Sequence, residues 1–357
     1  MKKLLLVFFI LAAFCAGWYG ALTYTKRFLT GENTEILQDP ATLRETYAQQ
    51  AAAGDAAAAY KLGEMYLSTQ GGEADAQSAV SYFRLAAGKG YLPAQKELAR
   101  FYQEGLAGLR PSQESSLFWC MHAALQGDAD CQNQIKEAFA KNTQLYDAVL
   151  AAFTASLQAR IGNGAAALEL GRLYEEGFLS PDLEEASHWY SVAAEQKIPQ
   201  GQARLGLLYA EGKGVAKDEE KARALLAPAA EAGDPQAQLY WGKQAYTQSE
   251  QDGGPDYTEA FKWFANAAAQ GNVEAQYLTG VMYIQGQGTD KSVKKALQFF
   301  SRAAEAGYAD AQYVVGQSYY KGLGIRQNMS EARKWLGKAA QNGNQAAQER
   351  LQQLPQP

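Results

Sequence analysis

Residues 201–233 read GQARLGLLYAEGKGVAKDEEKARALLAPAAEAG, and the order of small and large residues in this stretch decides the fold. Leu205, Gly206 and Tyr209 are followed by Gly212 and Gly214, then by Val215, Asp218, Lys221 and Ala222. The paired alanines Ala229–Ala230 come next, and Gly233 closes the stretch. Apolar residues at helical spacing on either side of a glycine pair predict two short helices joined by a tight turn.

The pattern recurs along the chain. Gly63, Gly171, Gly206, Gly280 and Gly316 are each followed three residues on by Tyr66, Tyr174, Tyr209, Tyr283 and Tyr319. Ala99 with Tyr102 fits, and Gly242 fits without its tyrosine. Successive spacings are 36, 72, 35, 36, 38 and 36. Because 72 is twice 36, a degenerate unit centred near Ile135 fills the gap. Paired alanines mark the same period, at Ala86–Ala87, Ala123–Ala124, Ala193–Ala194, Ala229–Ala230, Ala267–Ala268, Ala303–Ala304 and Ala339–Ala340. Most stand three residues before a glycine, and large aromatics such as Trp263–Phe264 and Phe299–Phe300 precede most of them.

One unit shows the physics. Ala275, Thr279, Met282 and Tyr283 form one stripe of a helix, and the small Gly280 lets a neighbouring helix approach closely. Gly286 and Gly288 end it, since glycine tolerates φ > 0. A second helix from about Ser292 to Glu305 turns Ala296, Phe299, Phe300, Ala303 and Ala304 inward. One such hairpin cannot bury its stripe alone, so neighbours must stack. Ala41 to Gly54, with Leu43, Tyr47 and Ala51 at core positions, reads as a lone capping helix, and Ala346 to Leu351 as a truncated one. Residues 128–162 keep the length of a repeat but lose its glycine marks, and Thr247 to Asp256 reads as a polar loop.

Together these motifs resemble the Sel-one-like repeat family, a tetratricopeptide-like α/α solenoid, over about residues 54–343. The resemblance implies an all-α chain: a right-handed α/α superhelical solenoid of about eight helix-turn-helix repeats. Residues 28–53 would be linker and cap, and residues 344–357 a capping helix and tail. The family consists mostly of adaptors and scaffolds.

The N-terminus carries a different signal. Leu4 to Tyr24 is 21 residues without a charge, flanked by Lys2, Lys3, Lys26 and Arg27. About 20 apolar residues span a hydrocarbon core, so residues 1–27 read as one N-terminal transmembrane helix, a signal-anchor. Two other readings stand beside it. A cleaved signal peptide would put Phe14 or Tyr19 at the −3 position, and lipidation of Cys15 would follow Phe14, where a small residue is expected. The short N-terminal end favours a cytoplasmic start, with the repeats in the periplasm and the protein in the inner membrane. A cytoplasmic-facing adaptor is the opposite topology.

Composition narrows the function. Lys plus Arg number 33 and Asp plus Glu 38, a net charge of −5; without the first 27 residues the balance is 29 − 38 = −9. An acidic chain argues against nucleic acid. The two histidines, His122 and His188, lie on second helices of different repeats and read as solvated or partly packed residues, so no metal is expected. No Gly-rich phosphate loop, Gly-x-Ser-x-Gly elbow or His-Glu-x-x-His stands in the sequence, so no cofactor, no small-molecule substrate and no catalysis is expected. Cys120 and Cys131 occupy inward positions facing each other across a turn with Gly127. A disulfide and two buried thiols are the alternatives there.

A protein partner is the remaining expectation. On each first helix a stripe opposite the core begins two residues after the small starter residue and continues four and seven residues further on. It comprises Tyr60, Glu64 and Leu67; Leu168, Arg172 and Glu175; Ala203, Leu207 and Ala210; Tyr277, Val281 and Ile284; Tyr313, Gln317 and Tyr320. In tetratricopeptide-like arrays first helices line a concave groove, which makes Tyr60, Arg172, Leu207, Tyr277, Val281, Tyr313, Gln317 and Tyr320 candidate anchors. Packing of the same residues on the neighbouring repeat is the competing expectation. The chain thus reads as a non-enzymatic, membrane-tethered interaction module of the bacterial envelope, scaffold or regulator. The resemblance also implies, as alternatives, an immunity protein against a secreted antibacterial toxin such as a phospholipase effector, or a cell-wall or β-lactam hydrolase.

Overall fold

A computed structural model describes residues 40–68, 73–247 and 254–354. The membrane helix expected within residues 1–27 lies outside the described residues, as do residues 248–253 of the expected polar loop. Among the described residues no helix is long and apolar enough to cross a membrane.

The unit around Gly280 shows how sequence becomes structure. Asn272 caps a helix over Val273–Gln285, its Oδ1 accepting the Ala275 N–H at 2.9 Å. Gly286, at φ 73, ends the helix in the left-handed region, its N–H reaching the Met282 carbonyl at 2.8 Å. Ser292 caps the second helix, Val293–Glu305, by accepting the Lys295 N–H. The Ser292 N–H in turn closes the loop on the Tyr283 carbonyl at 2.9 Å. A methyl group at Gly280 would sit 2.7 Å from the Phe300 ring, so only glycine admits that aromatic at this depth. The repeating tyrosine packs outside this contact. The Tyr283 ring stacks on Phe299 and meets Phe261 of the preceding second helix edge-on. Phe300, Ala303 and Ala304 are buried.

The described residues form eighteen helices and no strand. They are α1 (Pro40–Ala52), α2 (Ala56–Ser68), α3 (Glu73–Gly88), α4 (Leu92–Glu104), α5 (Gln113–Leu125), α6 (Ala129–Lys141) and α7 (Thr143–Arg160). Then follow α8 (Gly164–Glu175), α9 (Leu183–Glu195), α10 (Pro199–Glu211), α11 (Glu219–Glu231), α12 (Pro235–Thr247) and α13 (Tyr257–Ala269). The helices described above are α14 and α15; α16 (Ala309–Lys321), α17 (Met329–Gln341) and α18 (Gln345–Gln353) complete the chain. The fold is an all-α solenoid.

Packing divides the chain into two compact units, one ending at Leu150 and the other beginning at Ala151. In the first, α1 lays Tyr47 against Ala58 and Leu62 of α2. Hairpins α2–α3 and α4–α5 follow, and α6 packs on α5. The second unit holds five hairpins, α8–α9 through α16–α17, with α18 against the last. In it Gly171 abuts Tyr190, Gly206 abuts Leu226, Gly242 abuts Phe264 and Gly316 abuts Leu336, each in the manner of Gly280 and Phe300.

The degenerate repeat breaks this scheme. Among the described residues the other repeats' first helices pair extensively with the helix after them, whereas α6 touches α7 at Phe139 and Tyr146, ring centroids 4.9 Å apart, without that extended pairing. The reason lies at the glycine position, which in α6 is the exposed Lys136. A long charged side chain there gives no seat to an aromatic. As a result α6 buries only Cys131 and Ala138, whereas α4 buries six residues.

Candidate functional site

The stripe residues occupy equivalent positions on successive first helices, but they do not all face solvent. Tyr60, on α2 in the first unit, is half-buried between Phe83 and Tyr91, ring centroids 5.2 and 5.3 Å away. Burial and the neighbouring Glu64 carboxylate push its phenol up to about 12. Tyr277, on α14 in the second unit, repeats the arrangement between Phe300 at 5.6 Å and Tyr308 at 5.1 Å. Ala203 was expected on the outward stripe and is instead 1% exposed, inside the core of α10–α12. The position two residues after the starter therefore faces the adjoining second helix and the following turn. In a stack, a helix is covered on two sides, and this position belongs to a covered flank.

The later stripe positions are more open. Leu207, Val281 and Gln317 are half-buried, with Leu207 and Val281 lying over core clusters of the second unit. Leu67 is 41% and Ile284 38% exposed, large for aliphatic side chains. On α16, Gln317 Nε2 donates to the Tyr313 hydroxyl at 3.2 Å, and the Arg350 guanidinium stands 5.8 Å from the Tyr320 ring. The Gln317 Oε1 is buried without a hydrogen-bond partner. Arg172 is exposed and held along its own helix by Glu176 at 3.0 Å and Glu169 at 3.5 Å. The structure therefore gathers Tyr313, Gln317 and Tyr320 on one helix, and Tyr277 with Val281 on another. It brings no set of them around one pocket.

Charged groups knit neighbouring first helices within the second unit. Arg204 of α10 meets Glu175 of α8 at 3.4 Å, and Glu175 also accepts the Tyr190 hydroxyl. Lys243 of α12 meets Glu274 of α14 at 2.8 Å. Paired charges thus lie among the stripe residues of the second unit.

Other groups were not anticipated from the sequence. Gln95, Gln238, Gln276 and Gln312 stand one residue after the starter and are buried. Each donates its amide N–H to an alanine carbonyl of the preceding second helix: Ala87, Ala230, Ala268 and Ala304. Three of the four Oε1 atoms are satisfied in turn by an amide at the end of the next second helix, from Gln126, Gln270 and Asn342. The fourth, that of Gln276, has no partner, because the matching residue is Ala306. The paired alanines are thus acceptors as well as packing surfaces. A glutamine recurring next to the small starter was the only available signal, and it looks polar rather than structural.

His122, expected to be solvated or partly packed, is buried instead: it is 3% exposed and edge-on to Phe118 at 5.0 Å. His188 is exposed and rests against Trp189. Among the described residues no three His, Cys, Asp or Glu side chains are grouped to hold a metal ion. An open cleft of about 390 Å³ lies in the first unit, lined among others by Tyr102, Gln103, Ser112, Gln134, Glu137 and Lys141.

Repeat plan and packing together define a helical-repeat interaction protein. The chain belongs to the Sel1 repeat family, whose family model matches residues 56–91, 92–128, 164–197, 199–234, 235–272, 273–308 and 309–344. Two curated relatives are similar to it. An uncharacterised protein of Neisseria meningitidis is 29% identical over 249 residues, 68% of this chain and 50% of its own length. A chitin synthase regulator of Saccharomyces cerevisiae is 28% identical over 251 residues, 67% of this chain and 36% of its own length. The chain thus spans half or less of the curated relatives it matches. Among solved structures, a Sel1 repeat protein from Oxalobacter formigenes is similar at 27% identity and a TM-score of 0.52, covering 89% of this chain and 94% of that one.

Proposed function

We propose that this Sel1 repeat protein is a non-enzymatic module that holds a protein partner against the outward faces of its first helices, tethered to a membrane by Leu4–Tyr24. Sel1 repeats are in general protein-interaction scaffolds rather than enzymes. The observation that carries the reading is the apolar surface left over after stacking. Leu67 and Ile284 remain exposed, and Leu207, Val281, Tyr313 and Tyr320, although packed on their own cores along one side, remain half-exposed. Apolar side chains flanked by paired charges are the composition of a binding surface, with anchors inside a polar rim. The envelope setting rests on the sequence of the first 27 residues, and the acidic balance of the remainder favours a basic partner.

Crosslinking the full chain in the native cell, with mass spectrometry of the captured protein, tests the reading. A stoichiometric protein partner is expected, and an Ile284→Lys, Tyr320→Ala variant with an unchanged helical melting curve should lose it. Recovery of no protein partner overturns the proposal. A C-terminal reporter fusion active only in the cytoplasm overturns the envelope setting alone.

A further inference from the structure

Two buried thiols meet at α6, which packs on the second helix α5 but, among the described residues, lacks the extended pairing with the following helix that the other repeats make. Cys120 of α5 is 0% exposed and Cys131 of α6 is 3% exposed, and their sulfurs lie 2.7 Å apart. We propose that Cys120 and Cys131 form a reversible disulfide that locks α6 onto α5, in place of the packing that α6 lacks.

The repeat plan explains why these positions face each other. Cys120 stands where the other second helices carry Phe83, Tyr190, Leu226, Phe264, Phe300 or Leu336, large side chains that need a glycine opposite. In α4 the glycine's place in the repeat is held by Ala99, whose methyl group calls for a smaller side chain opposite. Cys131 stands where Ala94, Ala237, Ala275 and Ala311 start the other first helices, all fully buried. Across every other described junction a large side chain lies near an alanine or glycine; here a thiol lies on a thiol.

The surroundings prepare Cys131 as the attacking sulfur. It occupies the first turn of α6, where unpaired backbone N–H groups favour negative charge. Asp128, which accepts the Cys131 N–H at 2.9 Å, opposes the thiolate by its own charge, and Lys96, 2.6 Å from that carboxylate, offsets it in part. The Cys120 thiol donates to the Cys131 sulfur, which lowers the Cys131 thiol and raises that of Cys120. Gln134 Oε1 lies 3.4 Å from the Cys120 sulfur.

The oxidant is a low-molecular-weight disulfide such as glutathione disulfide. The Cys131 thiolate attacks one of its sulfurs, forming a mixed disulfide and expelling one thiolate. The Cys120 sulfur, losing its proton to solvent, then attacks Cys131 and expels the second. Two protein thiols and one small disulfide become one protein disulfide and two small thiols. Access to the buried pair comes from opening of α6, which buries only two residues and so opens at low cost. Because Gln134, Glu137 and Lys141 of α6 form one wall of the cleft against Gln103 and Ser112, the lock also fixes that cleft.

The test uses the full chain. After incubation with glutathione disulfide and alkylation under denaturing conditions, only Cys15 of the three cysteines should be labelled, and a peptide pair joined through Cys120 and Cys131 should be found. Dithiothreitol should restore three labelled thiols. Amide exchange across residues 129–141 should slow by about tenfold or more on oxidation, with α8 to α17 unchanged. Labelling of Cys120 and Cys131 after oxidation, or a dimer through Cys15 as the only product, overturns the proposal. So does an unchanged exchange rate in α6. Cys120→Ala, a substitution the small site accommodates, should trap Cys131 as a glutathione mixed disulfide and abolish the slowing. Slowing that persists in this variant equally overturns it.

Discussion

At the scale of single residues, the buried glutamines give the sharpest test of how repeats are joined. Gln276 is the one of the four whose Oε1 lacks a partner, since Ala306 stands where Gln126, Gln270 and Asn342 donate. Ala306→Gln should complete the pair and raise stability by about 1 kcal/mol, read as a higher midpoint in thermal or urea unfolding. Two aspartate caps should respond to pH with opposite sign. The Lys96 ammonium beside Asp128 holds that carboxyl below its ordinary value of 3.8, so its stabilisation is full above that value and is lost as pH falls through the lower folded value. Asp128→Asn should therefore melt lower than the native protein at neutral pH, by about 1 kcal/mol or less, with the difference closing in acid. Asp234, capping α12 with N–H bonds from Gln236 and Ala237 at 3.0 Å, is instead pushed up by burial, which outweighs those bonds. Its raised folded value means stability falls as pH rises through it, so Asp234→Asn should be at least as stable as the native chain at pH 7. Melting curves of both variants between acid and neutral pH check the pair.

At the scale of helices, the glycine of most first helices was legible because its consequence is local and the same wherever it stands. Gly280 and Phe300 are twenty residues apart and always meet, so both recur at the period. Gly280→Ala should cost about 1–3 kcal/mol by overpacking, and Phe300→Ala about 3–5 kcal/mol through lost burial and a cavity. Chevron or equilibrium unfolding of the two variants gives the ratio. The stripe was less legible, because whether Ala203 or Tyr277 faces water depends on the neighbouring helix and turn rather than on its own spacing. The interrupted pairing after α6 was visible only as missing glycines; that Lys136 stands at the glycine position needed the register of the folded helix. The N–H groups of α6 should exchange faster than those of α4 and α5 in the reduced protein, measured by hydrogen exchange.

At the scale of the whole molecule, stability should be distributed rather than shared. Stacked repeats exchange energy mainly with neighbours, and the chain packs as two units meeting in sequence at Leu150 and Ala151. Phe300→Ala should lower exchange protection in α14 to α17 and leave α2 to α5 unchanged, with Phe83→Ala showing the converse; a uniform loss in either case contradicts this. The loops carry a last implication. A methyl group on Gly288, at φ 64, would collide with the Tyr257 carbonyl oxygen, and Gly214 rests in the same way on Leu183. Each such loop is seated on the peptide of the repeat before it. Where the corresponding glycine touches nothing, at Gly108 and Gly254, the matched repeats run to 37 and 38 residues instead of the 36 of 199–234 and 273–308. Tolerance to added length is thus written into individual connections. A foreign peptide grafted beside Gly108 or Gly254 should be carried as an outward bulge, whereas the same graft at Gly214 or Gly288 would unseat one repeat from the next.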